Sequence, residues 1–292
     1  MCGIAGLFLK NPALEPRLGI LMANMLTVLT ERGPDSAGFA IYGEAIAGQV
    51  KFTVRVDAEF NVQPLVAGLG ATVSMHDNHV VVSVSIEQEA EVRAFLDKHP
   101  ALTVVSAGRR MTLFKGVGQP EEVSTRFGLS AMSGTHGIGH TRMATESAVT
   151  TEAAHPFSTG ADQCLVHNGS LSNHNDVRRS LMREGIKFAT QNDTEVAAGY
   201  LSCKLREGAR LDEALTSALD DLDGFYNFVV GTESGFGVLR DRISCKPAVM
   251  AETEDYVAFA SEYRALVGLP GIEVARLFEP EPAKVYFWER AA

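Results

Sequence analysis

Met1-Cys2-Gly3-Ile4-Ala5-Gly6-Leu7-Phe8-Leu9 opens the chain. Cys2 to Leu9 is a short apolar run, which predicts a buried strand. The stretch lacks the basic leader of a secretory signal. Initiator methionine is commonly removed ahead of a small side chain. Here that would leave Cys2 with a thiol and a free α-amine on one residue. An α-amine has an ordinary pKa of about 8, so it can act as a general base at neutral pH beside its own nucleophile. The plainer alternative is a buried apolar cysteine of the first strand, a common place for free thiols.

Outward from this stretch, Glu15 to Arg32 carries Leu18, Leu21, Met22, Met25, Leu26 and Leu29 at three- and four-residue steps, which predicts one helix. Gly33-Pro34 ends it, and Phe39 to Tyr42 reads as a strand. From Val50 to Ser133 the texture changes. Lys51–Val56 and the β-branched run Val80–Ile86 read as strands, Glu87–His99 as a helix, Leu102–Val105 and Arg110–Phe114 as a strand pair, and Gln119–Met132 as a helix. Residues 50–133 are therefore expected to form an inserted α/β module within a domain spanning 1–292. Beyond it, Asp193–Leu205 and Leu211–Leu222 read as helices. Phe225–Gly231, Gly235–Arg240, Pro247–Ala251, Tyr256–Ala260 and Lys284–Trp288 read as strands, with a short helical piece at Glu262–Leu266. Runs of strands and helices without strict alternation favour an α+β fold with helices outside antiparallel sheets.

Composition narrows the function. The 292 residues hold 26 Lys plus Arg against 36 Asp plus Glu, a formal charge of −10. That balance argues against a general nucleic-acid binder, which needs cations to neutralise phosphates. No apolar run approaches the roughly 18 residues of a membrane-spanning helix, and the expectation is a cytoplasmic protein. Cys2, Cys164, Cys203 and Cys245 form no C-x-x-C pair, no settled ligand spacing suggests a metal, and no Gly-rich phosphate loop suggests a cofactor.

Five further motifs stand behind Cys2-Gly3-Ile4-Ala5-Gly6: Arg32-Gly33-Pro34-Asp35-Ser36-Ala37-Gly38, Gly139-His140-Thr141-Arg142-Met143-Ala144-Thr145, Ala154-His155-Pro156-Phe157, His167-Asn168-Gly169 and Asn192-Asp193-Thr194-Glu195. Together, in this order, they resemble the glutaminase domain of class II glutamine amidotransferases. The resemblance covers Cys2 to about Ile46 and Gly137 to about Leu266. It implies the four-layer αββα fold of N-terminal nucleophile hydrolases, with the 50–133 module inserted.

The resemblance also implies roles. Cys2 attacks the side-chain amide of glutamine, and its amine moves the proton. The Asn168 side-chain amide and the Gly169 N–H stabilise the oxyanion. Arg142 receives the substrate carboxylate by two parallel bonds, which suits Arg better than Lys. Thr145 lies near that carboxylate, and Asp193 holds the ammonium. Arg32 and Asp35 are architectural, closing over and packing beneath the site. His140, His155 and His167 are read as scaffold hydrogen-bonders, since the amine already fills the base role. Read without the resemblance, Asn168-Gly169 is a hairpin turn pair, Arg142 a surface ion pair and Asp193 a helix N-cap.

Three features depart from the family pattern: Glu146 after Thr145, the length of the 50–133 module, and the loose match at Arg240–Pro247. The chain ends soon after the glutaminase elements. The expectation is a glutaminase subunit passing ammonia to a separate synthase subunit, as in glutamate-synthase-like or N-methylglutamate-synthase-like assemblies. A free-standing γ-glutamyl amidase and a catalytically silent glutamine-binding regulatory subunit are the alternatives.

Overall fold

The opening apolar run is a strand buried on both faces, β1 (Gly3–Leu9), and its side chains sort between two cores. Ala5, Leu7 and Leu9 point into one, Ile4 and Phe8 into the other, as the two-residue period of a strand requires. In the computed structural model, residues 2–57, 60–61, 71–144 and 148–290 are described. Along these the strands continue as β2 (Ser36–Tyr42), β3 (Gln49–Val56), β4 (Thr72–His76), β5 (His79–Ser85), β6 (Leu102–Gly108), β7 (Met111–Val117), β8 (His136–Arg142), β9 (Phe157–Gly160) and β10 (Gln163–Leu171). After them come β11 (Gly224–Gly231), β12 (Gly235–Arg240), β13 (Val249–Glu252), β14 (Tyr256–Ala260), β15 (Arg276–Phe278) and β16 (Val285–Glu289). The α-helices are α1 (Leu18–Val28), α2 (Glu89–Lys98), α3 (Pro120–Arg126), α4 (His174–Arg183), α5 (Asp193–Arg206) and α6 (Leu211–Asp221).

The strands form three sheets, of seven strands in the order β15-β13-β14-β1-β8-β2-β7, five in the order β16-β12-β11-β10-β9, and four in the order β4-β5-β3-β6. All the strand pairs in them are antiparallel. The cores separate the layers. Helix α1 packs Leu18, Leu21, Met22, Met25 and Leu26 on the seven-stranded sheet. Ile4, Ile138, Val166, Val229, Phe236 and Phe259 fill the space between the seven- and five-stranded sheets. Helices α5 and α6 cover the far side of the five-stranded sheet through Val196, Ala197, Leu201, Leu211, Leu215 and Ala218. This is the αββα stack expected from the motifs. Sheets covered on both faces explain why their strands read as continuous apolar runs rather than alternating ones.

The four-stranded sheet, with α2 against it, has its own core of Val50, Phe52, Val54, Val80, Val82, Val92 and Leu96. The stretch expected as one module over 50–133 is divided. Its first part, through β6, lies in this sheet, whereas β7 pairs with β2 and completes the seven-stranded sheet. Phe114, Val123, Phe127 and Leu129 join the core beneath α1. The expected pairing of the strands at Leu102–Val105 and Arg110–Phe114 does not occur: β6 pairs with β3 and β7 with β2. The cause is the turn between them. The Asp162 carboxylate accepts the N–H groups of Arg109, Arg110 and Met111 at 2.6, 2.9 and 2.7 Å. Gly108 there has φ +159°, and a Cβ on it would meet the Asp162 carboxyl at 2.3 Å.

The single helix read over Glu15–Arg32 is three pieces, a 3-10 turn at Pro12–Arg17, α1, and a second 3-10 turn at Thr30–Arg32. Pro12 and Pro16 each lack the N–H that a helix needs. Among the described residues no helix is long and apolar enough to cross a membrane, and no group of three or more His, Cys, Asp or Glu is placed to hold a metal ion.

Candidate active site

Backbone pairing builds the site. Gly3 sits opposite Thr141 in the antiparallel β1–β8 pair, so the next step sets Cys2 beside Arg142 at the mouth of the seven-stranded sheet. Strand β2 reaches the same edge, with Ser36 opposite Arg142. A Cβ on Gly3 would meet Thr141 Oγ1 at 2.7 Å, and one on Gly33 the Thr141 carbonyl carbon at 2.3 Å. Glycine at these two positions lets the chains close around Cys2.

Cys2 is half-buried, and its carbonyl oxygen accepts two bonds. Arg32 Nε donates at 2.9 Å and Asn168 Nδ2 at 3.2 Å. Cys2 Sγ stands 4.0 Å from the Met143 carbonyl oxygen. The buried Arg32 guanidinium is fixed from behind by Glu262 Oε1 at 2.7 Å, and burial sets this pair apart from an exposed ion pair. Ser261 adds a clamp at the start of β1, its Oγ accepting from Ile4 N–H at 2.9 Å while its N–H donates to Ile4 O at 3.0 Å. Asp35 Oδ2 accepts the Ala144 N–H at 2.8 Å, and the Asp35 N–H donates to Arg142 O at 3.1 Å. Asp35 thereby holds the strand end that carries Arg142. Arg142 is 5% exposed, buried rather than on the surface, and its Nη1 reaches Ala148 O at 3.4 Å. Thr145 and Glu146 lie outside the described residues.

Asn168 and Gly169 are not a hairpin turn. They lie within β10, opposite Asn227 and Tyr226 of β11. Gly169 has φ +154°, and a Cβ there would stand 1.9 Å from Phe225 O, so only glycine fits this backbone. Two residues on, the Leu171 N–H donates to Asp193 Oδ2 at 2.9 Å. The α5 N-cap is Asn192, whose side chain accepts from Thr194 N–H at 2.8 Å. Asp193 is therefore the first helical residue, and its carboxylate is free of capping and turned toward β10. Burial pushes the Asp193 carboxyl up, but the contact and charge of His167, the Leu171 N–H and the charge of His174 outweigh it and hold the group at about 2. His167 Nδ1 is 3.6 Å from Asp193 Oδ1; its hydrogen bond is with Thr194 Oγ1 at 3.0 Å.

The three motif histidines form a buried scaffold. His140 Nε2 meets His167 O at 3.1 Å, and His155 Nε2 meets Thr194 Oγ1 at 2.7 Å. The rings of His140 and His155 stack at 4.1 Å. Burial holds His140 down at about 3 and His155 well below its ordinary value, so both are neutral imidazoles at neutral pH. Thr194, quoted in the motif but given no role, is the hub of this network. Glu195 closes the preceding loop, accepting from Ala189 N–H, Thr190 N–H and Thr190 Oγ1 at 2.7, 2.8 and 2.7 Å. Glu262 was missed: it is distant in sequence from Arg32, and no local pattern marks the pair.

The arrangement gathers a half-buried thiol, a side-chain amide, a buried guanidinium and an ionised carboxylate at neighbouring strand and helix ends. This set suits an amide substrate with an amino-acid head. Residues 140–268 match a family model described as a glutamine amidotransferase domain. The glutamine amidotransferase-like protein GlxB of Rhizobium meliloti is 60% identical over 296 residues, covering 99% of this chain and 98% of that one. A glutamine–fructose-6-phosphate aminotransferase of Idiomarina loihiensis is 34% identical over 129 residues, 44% of this chain but 21% of the relative. Among solved structures, the glutamine phosphoribosylpyrophosphate amidotransferase of B. subtilis superposes with a TM-score of 0.62 at 23% identity, covering 99% of this chain and 47% of that one. That likeness bears on the fold alone. With one relative matched end to end at this identity, the chain belongs to the class II glutamine amidotransferase family.

Proposed function

We propose that the protein is a glutaminase that uses Cys2, exposed by removal of Met1, to release ammonia from glutamine for a separate synthase subunit. The supporting observation is the bond from Asn168 Nδ2 to the Cys2 carbonyl at 3.2 Å. It ties the candidate nucleophile to the candidate oxyanion donor from two different sheets.

In this reading the Cys2 thiol gives its proton to the α-amine of the same residue and attacks the side-chain amide carbon of glutamine. The developing oxyanion takes donors from the Asn168 amide and the Gly169 N–H. The amine then protonates the departing ammonia, and water hydrolyses the thioester to glutamate. Arg142 receives the α-carboxylate and Asp193, ionised throughout the neutral range, the α-ammonium. Thr145 is proposed to stand beside the carboxylate. Arg32 and Asp35 hold Cys2 and Arg142 in place without touching substrate. The assembly resembles glutamate-synthase-like or N-methylglutamate-synthase-like complexes, and the four-stranded module is the proposed docking element for the synthase.

Ammonia release from glutamine by the purified chain, abolished in Cys2→Ala, is the expected result. Release that appears only with a synthase partner added favours the subunit form of the reading. Equal turnover of γ-glutamyl compounds without a partner favours a free-standing amidase, and glutamine binding without turnover under either condition a regulatory subunit.

A further inference from the structure

Lys115, on β7, is a buried lysine that the glutaminase reading does not use. Its Nζ donates to the carbonyl oxygens of Glu152, Ala154 and Pro156 at 3.2, 2.8 and 3.4 Å. It also lies 4.3 Å from the centroid of the Phe157 ring. An ammonium has three donors and no acceptor, and here three acceptors converge on it. All three come from the second half of the connection between β8 and β9. The first half of that connection starts at Arg142 and is pinned by Asp35 through the Ala144 N–H. The two halves meet where Arg142 Nη1 reaches Ala148 O at 3.4 Å. From the four-stranded sheet, Arg55 on β3 holds the same segment, its Nη2 2.7 Å from Glu152 Oε1.

A buried ammonium is a costly way to fill space. An apolar side chain of similar volume would stabilise the fold at least as well. What an apolar side chain cannot do is fix the direction of three alternate loop carbonyls, those of Glu152, Ala154 and Pro156. Burial pulls Lys115 down to about 8, with the Glu195 and Glu152 carboxylates opposing that shift and the Arg55 charge adding to it.

Resting on the glutaminase reading, we propose that Lys115 is a positioning residue for the glutamine site: it sets the course of residues 148–156 and, through Ala148, the guanidinium of Arg142 that receives the substrate carboxylate. Arg55 supports the same segment from outside, so the four-stranded sheet has a direct handle on it.

The test is protection of Cys2 from iodoacetamide by glutamine, read at the Cys2 peptide by mass spectrometry because the free Cys245 is exposed. It needs no turnover. Lys115→Met should raise the half-protecting glutamine concentration at least tenfold and raise KM in step. The kcat should stay within about threefold, and the alkylation rate without glutamine should not change. In an Arg142→Ala background the same substitution should shift protection less than twofold, because its effect passes through Arg142; an undiminished shift there overturns the proposal. Should Lys115→Met fail to fold, Arg55→Gln, outside the core, carries the test with an expected two- to threefold shift, and no shift overturns it. Glutamine that never protects Cys2 in the unaltered chain overturns the glutaminase reading and this inference together. Protection that Lys115→Met leaves unchanged overturns this inference alone.

Discussion

The Cys2 end of the double-sheet body and the four-stranded module bury their side chains by opposite rules. Around Cys2 many of the buried groups are polar: His140, Thr141, Arg142, His155, His167, Asn168 and Thr194 are all buried. In the module they are mainly aliphatic, with Val50, Phe52, Val54, Val80, Val82 and Val84 as the core. Burying polar groups lowers stability unless each finds a partner. Such a concentration marks where the fold is shaped for chemistry. The module's residues are explained mainly by packing; at its seam with the body Arg55 pairs with Glu152, Thr53 Oγ1 accepts the Leu113 N–H at 3.4 Å, and His79 packs on Phe114 and Phe127.

The largest expected contrast is in acid. Burial holds His136, His140 and, at the seam, His79 at about 3, and His155 well below its ordinary value. The unfolded chain takes up these protons below about pH 6.5, and the native chain does not. Stability is therefore full above that pH and falls toward pH 3, by up to about 1.4 kcal/mol per pH unit for each histidine. Asp193, held at about 2, adds a contribution present above about pH 4 and lost as the pH falls through 2. Urea midpoints taken between pH 7.5 and 4.5 should drop steeply. A flat profile would mean that these rings are not buried neutral in the native state.

Phe52, fully buried in the module, should lose about 3–5 kcal/mol on truncation to Ala. Calorimetry should show a new low-temperature transition, with ammonia release below it within twofold of the original. Loss of activity while the module is still folded would break the division drawn between the two regions. At the other region, Asn168→Ala should lower kcat about 10²–10³-fold with little change in the melting temperature. A large melting shift with little loss of kcat would make Asn168 a structural group instead. At the small end, Ile243→Ser, at a position 68% exposed, should change stability by less than about 0.5 kcal/mol. A bigger change would point to a contact made by that face.

Much of this was legible in sequence because local rules and packing agree in the body. The apolar runs at Gly3–Leu9 and Tyr256–Ala260 and the helix starting at Asp193 fall where they were read. The pairing of β7 with β2 rather than β6 was not legible. It depends on Asp162, far along the chain, accepting three N–H groups at the intervening turn. The edge strand β4 was missed because its residues are largely exposed and carry no alternating pattern. Asn168-Gly169 reads locally as a turn, and only neighbouring β11 makes it part of a strand. Glu262 behind Arg32 and Lys115 beneath the β8–β9 connection have no local signature either, since their meaning lies in partners remote in sequence.

The central claim is that Cys2 is the processed, reactive terminus of a glutamine site. The direct measurement is intact and peptide mass spectrometry of the purified chain after exposure to a diazoketone analogue of glutamine. The account predicts a chain lacking Met1 and carrying one adduct, on Cys2, whose formation excess glutamine prevents and Arg142→Ala slows. A retained Met1, or an adduct on Cys245 or elsewhere that glutamine does not suppress, would contradict it.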